Sequence, residues 1–565
     1  MRRFWAKTLG LLLVAAPAAA FPGVLVGKDE ARRTVRTSHV ALLVADGLGV
    51  VTVAADYQGP LGPMAWLVPV PADVTRERIH TSKRELITRL EELTAPRYHE
   101  FYEMDPCEPG EAQQEWEYAP KVENPGLQVG KRLLPRDEGP VPREMGMLLS
   151  PVFGDVDSPY SFQVLERPAA GAARAWLQER GYRLTAEAER RLQAKLDGQN
   201  LLVAEVEPRR LGLVPGGAEL APIRYWSESA PLALPATLGL VHLEGRQDLL
   251  VYVLASRDRY AAQNYENVIP PTNLTVAPGA NERLGELHDA LADALGARHP
   301  RSVLTEFVWS SEGCGQPCPN AQLLPRELLS LGGDVVEELK VSKADRNPDP
   351  LPETPEEELA WQDKLESLKP PERPAAEKEH KADRKELARR LALIARQRYV
   401  LTRLRWHYGQ GGLPEDPRLG PAAPIRGGVG VPRGPAAELD HGVDRGGNQY
   451  QVRYVRALPW NTEMRCENAE RWRWGRRWAS LGRSWRKVWT ATLLGRPRVH
   501  PTDPRALLVT PLPELGWVAA PSPSATTQAS KSGSRGCGCQ VERTPGTGSF
   551  ALLALGYLLS RRRRR

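Results

Sequence analysis

Little in this sequence brings together the residues that chemistry needs close to one another. Its six cysteines and ten histidines are spread thinly over 565 residues. No Cys/His group has the spacing of a zinc site, and no GxSxG nucleophile elbow occurs. His99-Glu100 opens HEFYE, which lacks the second histidine of a zinc-protease helix, and His288 and His299 stand too far apart to act as a ligand pair. The Gly-rich stretch 427–434 (GGVGVPRG) has no Lys-Ser or Lys-Thr after it, so it reads as a loop and not a phosphate cradle. No internal repeat of solenoid period is found, and no cofactor is implied. A dominant charge is missing as well. Of the formal net charge of +7, residues 1–20 supply +3 and the five terminal arginines +5, which leaves −1 for residues 21–560. The folded body therefore lacks the basic balance of a nucleic-acid binder, and no nucleic-acid partner is expected.

What is present is concentrated at the two ends. Residues 1–20 (MRRFWAKTLGLLLVAAPAAA) carry Arg2, Arg3 and Lys7, then a short apolar run, then Ala18-Ala19-Ala20. That order is the order of a secretion signal cleaved before Phe21, and the apolar run is shorter than the ~20 residues a membrane span requires. At the other end, residues 550–559 are apolar, and a helix over 549–560 would be closed by Arg561, Arg562, Arg563, Arg564 and Arg565. A helix there would rise about 18 Å against a hydrocarbon core of about 30 Å, a short membrane helix whose arginines hold its end in the cytoplasm.

Between the ends, 51 prolines and 49 glycines accompany many Val- and Leu-rich runs, which points to a strand-rich α+β architecture in several domains or one large elaborated domain. Asp46-Gly47 between apolar runs predicts a hairpin, and residues 64–70 a third strand. Helical spacing marks residues 82–93, with Ser82 as cap, then 169–196, broken at Gly181-Tyr182, and 284–295. Strands are expected at 201–206, 238–243, 249–254, 399–407 and 450–456. Residues 340–397 change character, Pro-rich and acidic at first, then mixed-charge and helix-favouring; they read as an exposed insertion, partly helical and partly disordered. The expected organisation is a signal (1–20), an ectodomain in two parts (21–339 and 398–520) around that insertion, a low-complexity linker (521–548) and the tail (549–565).

Two motifs in the body invite a functional reading. Cys314-Gly-Gln-Pro-Cys318 has three residues between its cysteines, one more than a thioredoxin-type redox pair. In an exported chain, Cys107, Cys314, Cys318 and Cys466 read instead as disulfide cysteines, for which three connectivities exist. Residues 470–489 (ERWRWGRRWASLGRSWRKVW) would, as a helix, align Trp474, Trp478, Trp485 and Trp489 on one face, a pattern suited to an anionic envelope surface. The plainer reading is an aromatic core face, and Gly475 and Gly482 weaken a continuous helix.

Several stretches resemble one set of exported bacterial proteins, the domain of unknown function 2330 family. They are ADYQGPLGPMAWLVPVP (55–71), YHEFYEMDPC (98–107), AWLQERGYRL (175–184), residues 234–273, EFVWSSEGCGQPC (306–318), YVLTRLRWHYGQGGLPEDP (399–417) and YQVRYVRALPW (450–460). The family has no established activity, so the resemblance implies export and little more; the long charged insertion departs from it. The tail is similar to the MYXO-CTERM sorting signal through Cys537, Cys539, residues 550–559 and the arginine cluster. That resemblance implies membrane retention, processing near the cysteines and display at the surface. The expected partners are the membrane, through the tail, and the export and tail-processing machinery. The expected function is a non-enzymatic, surface-displayed binding or structural protein. The alternative is an extracytoplasmic hydrolase acting on peptide or glycan through carboxylates that sequence alone does not locate.

Overall fold

Apolar runs with β-branched residues make most of the elements. In the computed structural model, which describes residues 22–107, 158–311, 323–336, 355–430, 443–477 and 502–517 less isolated positions within them, the strands in chain order begin with β1 (Val24–Gly27), β2 (Thr37–Ala45), β3 (Leu48–Gln58), β4 (Met64–Val70) and β5 (Ile79–Thr81). Helix α1 (Arg84–Thr94), β6 (Arg97–Glu103), β7 (Tyr160–Leu165), α2 (Ala172–Glu179), α3 (Ala186–Gln193), β8 (Asn200–Val206), β9 (Gly217–Ser227) and β10 (Gln247–Ala255) follow. Then come α4 (Leu284–Arg298), β11 (Ser302–Ser310), α5 (Pro355–Ser367), α6 (Arg373–Ile394), β12 (Val400–Tyr408), β13 (Gln449–Gln451), β14 (Arg453–Leu458) and β15 (Trp474–Arg477). All lie in the unit Met1–Ala520; Pro521–Arg565 make a second unit, outside the described residues. The α+β, strand-rich class is as the sequence indicates.

Three sheets organise these elements. The largest has eleven described strands, with β13, β11, β12, β10, β2, β3, β9 and β5 in that order along its main path. Its pairings along that path are antiparallel except β2 with β10. The 45–48 hairpin forms as the sequence predicts, Ala45 facing Leu48, with Gly47 at φ +87°, a conformation glycine adopts without steric penalty. A second sheet runs β1-β4-β8-β7, all antiparallel. In the third, β14 and β6 are parallel and β15 adds antiparallel to β6.

Side chains alternate between faces, so each strand serves two environments. Leu42, Val53, Val251, Leu404 and Trp406 of the large sheet meet Trp66, Val68, Leu202 and Ala204 of the second sheet in the main core. Each fully buried Leu or Val there contributes about 1.5–3 kcal/mol. The far face of the second sheet is covered by α2 and α3 through Leu177 and Leu192. The far face of the large sheet is covered by α1, α4 and the last turns of α6.

Several expectations need correction. Residues 238–243 are not a strand: Ala236–His242 form a 3-10 helix, with Leu238 in one core and Leu240 in another. A short apolar run does not distinguish the two. Helix α1 begins one residue later than expected, its N-cap position falling on Lys83 with no side-chain cap, while the Ser82 N–H donates to the Pro222 carbonyl at 2.7 Å. The charged insertion is helical over α5 and α6, but Ala388, Leu391 and Ile394 are buried, so it is not exposed throughout. Their helical spacing gives the end of α6 an apolar stripe that the sheet face takes up.

Candidate functional site

The most chemically loaded place in the described structure is the helix-covered face of the large sheet, and its polarity follows from strand register. Strand β12 reads Val-Leu-Thr-Arg-Leu-Arg-Trp-His-Tyr. Period two sends Leu404, Trp406 and Tyr408 into the main core. It leaves Leu401, Arg403, Arg405 and His407 on the opposite face. Pairing with β10 sets Tyr252 opposite Arg403, Leu250 opposite Arg405 and Asp248 opposite His407. One end of this face is therefore apolar and the other is charged.

The charges answer one another. Glu306 of β11 is fully buried, and its Oε2 lies 2.8 Å from Arg403 Nε. Its Oε1 lies 3.6 Å from Arg405 Nη1 and 2.7 Å from His288 Nε2 on α4. His288 Nδ1 is in turn 2.9 Å from the Tyr454 hydroxyl. Arg405 donates from Nε to Asp248 and from Nη2 to Asp289, each at 2.7 Å. The His407 ring lies between two carboxylates, Nδ1 at 2.8 Å from Asp248 and Nε2 at 2.8 Å from Asp293, and Arg246 also pairs with Asp293. Asp289 and Asp293 are 56% and 41% exposed, so the network reaches solvent along α4.

Burying charge costs several kcal/mol per ion unless opposite charges and hydrogen bonds compensate. Here the ion pairs with Arg403 and Arg405 offset the burial of Glu306, although Glu306 Oε2, Arg403 Nε and Arg405 Nη1 make no hydrogen bond among the described residues. Burial works to raise the Glu306 carboxyl, but Arg403, His288 and Arg405 hold it at about 2. Asp248 is likewise held below the carboxylate range by Arg405 and His407 against the effect of burial. For His407, burial opposes the charged form, yet Asp248 and Asp293 raise it to about 9. An imidazolium whose two N–H groups are both taken has no lone pair to accept a proton. A carboxylate held at about 2 carries no proton to donate near neutral pH. The arrangement therefore makes a poor general acid or base; it fastens β10, β11 and β12 to α4. Among the described residues no group of three or more His, Cys, Asp or Glu side chains is placed to hold a metal ion.

A second constellation lies on the third sheet. Parallel pairing from Arg453 opposite Arg97 to Leu458 opposite Tyr102 makes β14 and β6 leave the sheet at the same end. Just beyond it Cys107 and Cys466 form a disulfide, with Cα atoms 5.5 Å apart and a sequence separation of 359. Cys314, Cys318, Cys537, Cys539, Ala18, Ala20, Phe21 and Arg561, Arg562, Arg563, Arg564 and Arg565 lie outside the described residues. Trp474 is not on a helix: it stands in β15 opposite Glu103, buried with Phe101 and Val455. The backbone of β6 offers an edge, and Gly475 disfavours continuing a helix. Trp478, Trp485 and Trp489 lie outside the described residues.

Sequence reasoning missed the charge network. Arg403, Arg405 and His407 alternate within a stretch already expected to be a strand, and three charges on one strand face are a readable signal. Their partners Asp248, Asp289, Asp293 and Glu306 sit on other elements and carry none.

Comparison with known proteins adds a family and no activity. No curated protein matches the chain. Among solved structures, the crystal structure of baculovirus P35 is similar at 9% identity and a TM-score of 0.24, over 43% of this chain and 70% of that one. A likeness that low carries no argument about fold or function. The family model described as "Uncharacterized protein conserved in bacteria (DUF2330)" matches residues 16–350, more than half of the chain. The chain belongs to that family.

Proposed function

We propose that this chain is an exported protein of the bacterial cell envelope, a disulfide-supported ectodomain that binds a partner or envelope component and performs no chemistry of its own. The observation that carries the proposal is the Cys107–Cys466 disulfide. Disulfides persist where the compartment is oxidising, and in a bacterium that means outside the cytoplasm. The charge network adds support, because its buried groups are committed to one another and work as a fastening. In this reading residues 1–20 direct export and are removed before Phe21. The tail holds the chain at the membrane until processing near Cys537 and Cys539, and display at the surface follows.

Fractionation of bacterial cells under thiol-trapping conditions tests the proposal. The protein should appear in the envelope fraction with Phe21 as its first residue and no alkylatable thiol at Cys107 or Cys466. A chain lacking residues 536–565 should be released in soluble form into the periplasm or medium. Full-length protein in the cytoplasm, beginning at Met1 with both thiols free, would overturn it.

A further inference from the structure

The connection from β14 to β15 crosses the end of β6, and its two ends are drawn together by one carboxylate. Glu103, the last residue of β6, has a fully buried side chain. It accepts the backbone N–H of Trp460 at 2.8 Å and that of Trp472 at 2.7 Å. Arg471 donates to both carboxylate oxygens, from Nε at 2.7 Å and from Nη2 at 3.0 Å. The start and the end of the 460–472 loop are thus tied to the same group, by charge-assisted bonds stronger than neutral ones. Trp472 holds φ at +67°, a conformation a bulky side chain adopts at a cost and keeps only where its surroundings enforce it.

In the middle of the same loop, Cys466 is bonded to Cys107, four residues beyond Glu103. The two attachments share no atoms. Secondary contacts line the neck: the Met104 N–H donates to the Arg473 carbonyl and the Glu470 N–H to the Pro106 carbonyl, each at 2.8 Å. Between these ties the loop surface is open to solvent, with Glu463, Met464, Arg465, Glu467 and Asn468 all exposed. Short loops with tied ends are a recurrent form for presenting surface residues.

We propose that residues 460–472 form a doubly latched loop that opens only when the Cys107–Cys466 disulfide and the Glu103 clasp are both undone. A dithiol reductant removes the first latch by exchange: it is oxidised to its own disulfide, and Cys107 and Cys466 are left as two thiols. With Glu103 in place the loop keeps its conformation through that reduction, so its exposed surface is presented in either redox state. The two latches combine in the same way whichever compartment the chain resides in.

The test is a two-by-two comparison on the full chain. Oxidised protein and protein reduced with dithiothreitol are digested briefly with trypsin, and cleavage after the exposed Arg465 is timed by mass spectrometry, for the parent and for Glu103→Gln. Circular dichroism checks that the body stays folded. Reduction alone and E103Q alone should each change the cleavage rate by less than about threefold, and the two together should raise it by about tenfold or more, the non-additivity expected of redundant ties. Arg471→Gln, which leaves the backbone donors intact, repeats the comparison if E103Q does not fold. Opening of the parent loop by reduction alone, or continued protection of the reduced variant, would overturn the proposal.

Discussion

His407 and His242 are both buried imidazoles, and their surroundings drive them in opposite directions. Asp248 and Asp293 hold His407 charged, at about 9. His242 accepts the Leu25 N–H on Nε2 at 2.8 Å, and its Nδ1 donates to the Arg33 carbonyl at 2.9 Å. Only the neutral ring fits both, and burial pushes it down to about 4. An unfolded histidine titrates near 6.5. The stability that His407 contributes is therefore fully present below about pH 6.5 and is lost as pH rises through about 9. That of His242 is present above about 6.5 and is lost as pH falls through about 4. Urea midpoints measured from pH 3 to 10 should fall at both ends. The His407→Gln variant should lose the alkaline slope and keep the acid one, and an alkaline slope unchanged in that variant would show that the ring is not held as described.

At the scale of elements, α5 and α6 show how one charged segment divides into two kinds of surface. Leu359 on α5 is 62% exposed, whereas Leu391 near the end of α6 is 6% exposed and lies among the residues under the large sheet. Leu391→Ala should cost about 2–5 kcal/mol. Leu359→Ala should stay within about 0.5 kcal/mol of the parent. Thermal or urea unfolding of the two variants checks both, and equal losses would contradict the burial. The same segment shows what was legible in the sequence. Helix α6 was, because composition and spacing are local, whereas α5 begins in the Pro-rich acidic part that gave no helical signal. The docking of Leu391 and Ile394 was less legible, because the acceptor surface is built from distant strands. Strands β4, β10 and β12 were legible for the same local reason, as was the turn at Gly47. Trp474 is buried, as the plainer reading of an aromatic core face has it, but in a strand whose place depends on pairing with β6, some 370 residues earlier in the chain. Within the charge network only Arg403, Arg405 and His407 left a trace, as alternation along one strand.

At the scale of the whole molecule, strand order departs from chain order in a way that bears on how the protein is made. β12 lies between β10 and β11, and β6 is flanked by β14 and β15. A ribosome adding about 5–20 residues per second delivers β10 and β11 well before β12 exists. The large sheet therefore has a gap in its middle until residue 408 has emerged, and the third sheet cannot assemble until residue 458 has. Pairings this remote in sequence also close slowly, since loop entropy must be overcome before contacts repay it. A chain ending at residue 395 should accordingly stay uncooperative in thermal unfolding and yield to protease, whereas one ending at residue 520 should resist; a protected, cooperative short chain would refute this. Such a wiring delays the native state until residues 400–458 have been made. If the chain is exported as we propose, it gains from that delay, because it reaches the membrane pore before it has a shape to lose.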